Sequence, residues 1–160
     1  MLVRPIVPAD EAAYRSVLER TSEEDRYFRF FHAVDALDPA DVHRFVESRP
    51  DMIGVIATDG DLPLGAAHAA LDWPSAELAV VVAEDARGRG VGRALLATLT
   101  ERLRALGYRH IVAEAMHENV AFAALARSVG LHPTRTGGSS VFWVRDLAAD
   151  AAPEDALTLR

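Results

Sequence analysis

The residues best placed to do chemistry stand together in the run Arg87-Gly88-Arg89-Gly90-Val91-Gly92-Arg93. Its alternating glycines allow positive φ and let backbone amides approach a bulky anion. A helix opening directly behind them adds unpaired N–H groups and the positive end of its dipole. Such a turn suits a diphosphate. Charge-assisted hydrogen bonds are worth about 1.5–3 kcal/mol each, so a few amides with Arg87, Arg89 or Arg93 suffice for roughly micromolar affinity. The plainer reading is a tight strand-to-helix turn whose arginines are solvated. Context favours the ligand, because the glycines follow an apolar strand over residues 76–83 and open the most regular helix of the chain, residues 90–106.

Rival chemistries fit less well. A P-loop closes on Gly-Lys-Ser/Thr, and this chain has no lysine. A dinucleotide fingerprint starting at Gly88 needs glycine or alanine where Arg93 stands, although Glu114 partly imitates its ribose-binding acid. Cysteine is absent, which excludes disulfides, thiolate metal sites and a cysteine nucleophile. His32, His43, His68, His110, His117 and His132 are scattered without metal-ligand spacing, so no metal is expected.

The elements that position the glycine run follow from periodicity. Residues 2–7 read as a strand and 9–20 as an amphipathic helix with Asp10 near its cap. Thr21 with Glu24, or Ser22 with Asp25, has capping-box spacing ahead of a second helix. That helix carries Tyr27, Phe28, Phe30 and Phe31, expected in the core rather than stacked on a ligand, and Arg26 and Arg29, which either wall the acceptor site or, slightly preferred, are solvated. A third helix begins at Pro39. Strands over 52–58, 64–71 and 76–83 are joined by short turns into an antiparallel meander, and the last, apolar on both faces, should be central. A strand over 109–115, a helix over 119–129 stopped by Gly130, and a final hairpin over 131–136 and 141–145 complete a mixed, mostly antiparallel α/β sheet.

Composition bounds the rest. The 160 residues suit one domain, assigned to residues 1–147, with a tail over 148–160. Half the residues are apolar (50%) and 26% are charged, which describes a soluble globular chain. No apolar run approaches the ~20 residues a bilayer span requires. No membrane partner is expected, and the cytoplasm is the default compartment. A net charge of −7 argues against nucleic-acid binding and favours a cationic or amine-bearing partner.

Arg87-Gly-Arg-Gly90-Val-Gly92 matches the acetyl-CoA loop pattern of the GCN5-related N-acetyltransferase (GNAT) superfamily, Gln/Arg-x-x-Gly-x-Gly/Ala, and the element order agrees from Leu2 to about Leu147. The chain also resembles the acetyltransferase domain of bacterial Pat-type protein-lysine acetyltransferases. The similar residues are Arg4-Pro5, the segment from Ser22 to Phe31, Ala76-Glu77-Leu-Ala-Val-Val-Val82, and Glu118-Asn119 followed by Leu125-Ala126-Arg127 and Gly130-Leu131.

The resemblance implies a GNAT fold with acetyl-CoA as cosubstrate, lying where the strands over 76–83 and 109–115 splay apart. Backbone groups of Val80 and Val82, flanked by Val81, would pair with the pantetheine arm as an added strand does. Arg87, Gly88, Arg89, Gly90, Val91, Gly92 and Arg93 would take the diphosphate. Asn119 would reach the pantetheine or thiol end, or simply cap its helix, and Phe122 would cover the arm. Glu77 coincides with the family's general-base position. An amine near pKa 10.4 must lose a proton before it attacks, and burial of Glu77 against Leu78 and Val81 is expected to raise its own pKa toward that task. Many members carry a tyrosine acid seven residues after the helix-start Asn; here that position is Ala126. The implied reaction is direct attack by an amine in a ternary complex, with a protein lysine as leading acceptor and the chain a monomer or homodimer. A small-molecule amine acceptor and a non-catalytic acyl-CoA sensor are the alternatives.

Overall fold

The computed structural model describes residues 1–30 and 38–149; Phe31, His32 and residues 150–160 of the expected tail lie outside this set. The chain opens with β1 (Leu2–Pro5), a 3-10 turn (Pro8–Asp10) and α1 (Glu11–Glu19). Asp10 stands at the start of α1, yet its carboxylate does not cap that helix. It accepts from the Arg4 guanidinium at 2.7 and 2.8 Å and from the Val7 N–H at 2.9 Å, fastening β1 to the helix that follows. The Arg4 hydrogen bond holds the Asp10 carboxyl below the usual range.

Helix α2 (Glu23–Phe30) uses one of the two expected capping pairs. The Asp25 N–H donates to Ser22 Oγ at 3.2 Å, and the hydroxyl donates to the Asp25 carboxylate at 2.6 Å. Thr21 turns back instead, donating to the Val17 carbonyl at 2.7 Å. Helix α3 (Pro39–Val46) starts from Asp38, whose side chain accepts the Ala40 N–H. The meander follows as β2 (Met52–Asp59), β3 (Leu62–Asp72) and β4 (Ser75–Val82). Then come α4 (Val91–Ala105), β5 (His110–Met116), α5 (Val120–Ser128), β6 (His132–Gly137) and β7 (Ser140–Asp146).

Among the described residues one seven-stranded sheet runs in the order β1-β2-β3-β4-β5-β7-β6. Every neighbouring pair is antiparallel except β4 and β5, which the α4 crossover makes parallel. The mixed α/β sheet expected from periodicity is present, with β4 central. Its two faces serve two cores: Ala76 and Leu78 point into a cluster with Leu95, Leu96, Leu99 and Leu103 of α4, while Val81 points into a cluster with Tyr14, Val17 and Leu18 of α1 and Val42 and Val46 of α3. No helix among the described residues is long and apolar enough to cross a membrane.

His68 of β3 is buried in the second of these cores. Its ring lies 5.3 Å from Tyr14 and 5.1 Å from Phe45, and Nε2–H donates to the Phe45 carbonyl at 2.8 Å. Burial, with the Arg29 charge nearby, pushes its pKa down to about 3, against the opposing pull of the Phe45 bond. The folded chain therefore refuses a proton that the unfolded chain accepts below about pH 6.5. Stability should be intact above that pH and fall by as much as about 1.4 kcal/mol per unit as the pH drops below it. Melting curves at pH 7 and pH 5 should show a shallower loss for His68→Gln than for wild type. Equal losses would contradict the assignment.

Candidate active site

The site is made by two strands that begin together and then part. Strands β4 and β5 pair at Ser75 with His110, Ala76 with Ile111 and Glu77 with Val112, and the pairing ends there. Beyond it β4 continues along β3 as far as Val82, and β5 continues along β7 as far as Met116. Each strand follows its other neighbour, so a cleft opens between them. The splay expected from the resemblance lies after residue 77.

The open edge of β4 has defined groups on it. The Ala83 N–H donates to the Leu64 carbonyl at 2.9 Å, and the β3–β4 register runs without a shift. Bonded and non-bonded pairs alternate in an antiparallel ladder, so Ala79 and Val81 bond to β3 while the amides and carbonyls of Val80 and Val82 face the cleft. Val81 contributes to the cleft wall and turns its side chain into the α1 and α3 core.

The mouth of the cleft is the start of α4. Gly90 precedes the helix with φ +77°, a conformation that costs an L-residue about 1–2 kcal/mol. No side chain caps this helix, and its first internal bond runs from the Ala94 N–H to the Gly90 carbonyl at 3.0 Å. The amides of Val91, Gly92 and Arg93 are left for a ligand. Gly92 is a different requirement: a Cβ there would stand 3.0 Å from Leu125 of α5, so its absence lets the two helices close over the cleft.

The resulting cavity, of about 550 Å³, brings together Glu77, Val80, Val81, Val82, Arg87, Gly88, Gly90, Val91, Gly92, Arg93, Asn119 and Phe122. Arg89 is not among these residues. Its guanidinium reaches Asp59 at the β2–β3 turn, 3.0 Å away. Arg87 is held by an ion pair with Asp25 of α2, while Arg93 makes no ion pair among the described residues. Asn119 caps α5 through Oδ1, which accepts the Phe122 N–H at 2.9 Å, and it also lines the cavity. Phe122 lies edge-on to Trp143, with centroids 6.3 Å apart.

The burial expected of Glu77 is not found, because its side chain is exposed. Strand alternation explains this: Leu78 points to the opposite face, and Val81 is four residues further along. Ala126 is fully buried, so the position where many family members have tyrosine presents nothing to the cleft.

One wall is only partly legible in the sequence. Asp25, Phe28 and Arg29 of α2 line the cleft, so Arg29 follows the less preferred of its two readings, a wall of the site, while Phe28 is not confined to the core expected of it and Asp25 is unforeseen. Tyr27 is exposed, Arg26 donates to the Leu18 and Thr21 carbonyls, and Arg29 lies over the Phe45 ring at 4.7 Å. The spacing 25, 28, 29 is a helical stripe, and its mixture of acid, aromatic and base distinguishes it from a core face. Glu114 and Ala115 of β5 also line the cavity.

Residues 13–131 match the model described as the acetyltransferase (GNAT) family. Among solved structures, the GNAT domain of S. lividans PAT is 30% identical, with a TM-score of 0.84 over 91% of this chain and 89% of that one. The yncA protein of Salmonella typhimurium, described as a putative acetyltransferase with its cofactor acetyl-CoA, shares the fold at 22% identity and a TM-score of 0.72, covering 96% of this chain and 98% of that one. Acetyltransferase PA5475 of Pseudomonas aeruginosa is 24% identical over 92% of this chain and 83% of its own length. The parted strands and the amide-rich helix start are thus found in a chain that belongs to the GNAT acetyltransferase family.

Proposed function

We propose that this acetyltransferase takes acetyl-CoA in the cleft between β4 and β5 and transfers the acetyl group to a primary amine, with a protein lysine as its acceptor. The observation that carries the reading is the open edge of β4, followed across the turn over residues 83–90 by the free amides at the start of α4. One stretch of chain thereby offers a strand partner for a pantetheine arm and an anion site for a diphosphate. Similarity to the GNAT domain of S. lividans PAT supports the lysine acceptor, as does the net charge of −7.

Acetyl-CoA supplies an activated acetyl group and departs as coenzyme A. The chain supplies placement and proton handling. Val80 and Val82 align the arm through their backbone, and the amides of Val91, Gly92 and Arg93, with Arg87 and Arg93, hold the diphosphate. Glu77 accepts the proton of the incoming ammonium, directly or through one water, so that a neutral nitrogen attacks. With Ala126 unable to donate a proton, the positive end of α5 at Asn119 stabilises the departing thiolate.

Assays of coenzyme A release against lysine peptides, folded proteins and small amines, with mass spectrometry of the products, test this reading. Acetylated lysine in peptides or proteins is expected. Turnover of small amines alone would reassign the acceptor. The buried Ala126 favours a second reading, an acyl-CoA-binding module without turnover, which predicts binding and no acetylated product.

A further inference from the structure

Glu77 is one of two carboxylates on the cleft that form no ion pair with a described residue; the other is Glu114 of β5. Val112 stands beside Glu77 at the last paired rung, and side chains alternate along a strand, so Glu114 lies on the same sheet face two residues further out. Ile111, Ala113 and Ala115 take the opposite face and are buried there. A strand separation of ~4.8 Å and a rise of ~3.3 Å per residue put the two glutamate Cα atoms at least about 8 Å apart. That Cα spacing leaves room for two cationic centres of one acceptor, one at each carboxylate.

The charges around Glu114 support this. It is half-buried and makes no hydrogen bond or ion pair with any described residue. A carboxylate partly withdrawn from water without a counter-ion is costly, and an arriving cation relieves the cost. Elsewhere in the cavity Asp25 and Arg87 neutralise each other, and Arg93 belongs to the first turn of α4 at the diphosphate end. Arg29 is the remaining cation of the lining, and outside it the Arg135 guanidinium lies over Phe142, the register partner of Glu114, at 4.5 Å. Arg29 lies over Phe45 and near His68, which is the register partner of Ala79. Among the residues that line this end of the cleft, two carboxylates face one guanidinium, and neither carboxylate is in an ion pair with a described residue.

We propose that Glu114 sets acceptor specificity by holding a second cationic group close to the attacking nitrogen. The preferred acceptors then carry two nearby positive charges, as a diamine does, or a lysine followed by another basic residue. This rests on the proposed acetyl transfer with Glu77 as base.

The test measures kcat and KM for wild type, Glu114→Gln and Glu114→Asp with two matched pairs of acceptors. One pair is an alkyl monoamine and a diamine of equal length; the other is a lysine peptide flanked by arginine and its alanine-flanked counterpart. Wild type should favour the dicationic member about tenfold, through KM. Glu114→Gln should abolish that ratio and Glu114→Asp should retain part of it, with acetyl-CoA affinity and melting temperature reporting that each variant is folded. A wild type without preference, or a Glu114→Gln variant that lowers both members of a pair alike, overturns the proposal. Inert peptides beside reactive diamines would overturn the protein-lysine reading while leaving the Glu114 ratio intact, and failure to acetylate any amine would overturn both.

Discussion

Glu77→Gln should lower kcat/KM for the amine acceptor by about 10²–10⁴-fold, the range expected when a positioned general base is removed. The affinity for acetyl-CoA should not change, since Glu77 stands at the last β4–β5 rung and the diphosphate-binding amides belong to α4. Glutamine keeps the size and polarity of the side chain and loses its charge and its ability to accept a proton. Because Glu77 is exposed, the substitution removes no packing and should leave melting unchanged. The loss should also shrink as the assay pH rises, because the acceptor then arrives with a larger neutral fraction. Steady-state kinetics from pH 7 to pH 10, alongside calorimetric binding, separate these effects. Undiminished turnover with acetyl-CoA still bound would remove Glu77 from the chemistry.

Gly90→Val should weaken acetyl-CoA binding by about 10- to 100-fold, equivalent to losing one charge-assisted hydrogen bond. At φ +77° a β-branched residue is strained, and the chain relieves that strain by turning the neighbouring amides away from their common focus. Space is not the issue, since a Cβ at this position meets nothing within 4 Å. Stability should therefore fall by only about 1–2 kcal/mol. The ratio of these effects is diagnostic: a structural turn would lose stability alone, and a ligand cradle loses affinity as well. Melting temperature and acetyl-CoA affinity measured on the same preparation distinguish them, and unchanged affinity would discredit the cradle.

The glycine run, the long helix behind it and the central apolar strand were legible because each is a local signal. Alternating glycines, a leucine stripe and two-sided apolarity need no knowledge of distant residues. The same holds for Asn119, whose capping bond is local. Tertiary direction was less accessible. Glu77 was expected to be packed against Leu78, yet adjacent residues of a strand point to opposite faces, and the side chain is left at the rim. Sequence proximity groups Arg89 with Arg87 and Arg93, and its ion pair with Asp59, thirty positions away, is a contact that proximity does not reveal. The α2 wall is a pairing of the same long-range kind, in which Asp25 meets Arg87 across the mouth. Periodicity places a stripe on a helix but does not identify the surface that the stripe faces.

Isothermal titration of the intact chain with coenzyme A, and then with acetyl-CoA, tests the central claim most directly. The account predicts one saturable site at roughly micromolar affinity, with each ligand displacing the other and Gly90→Val weakening both. Absence of heat and of competition at high protein concentration would contradict it.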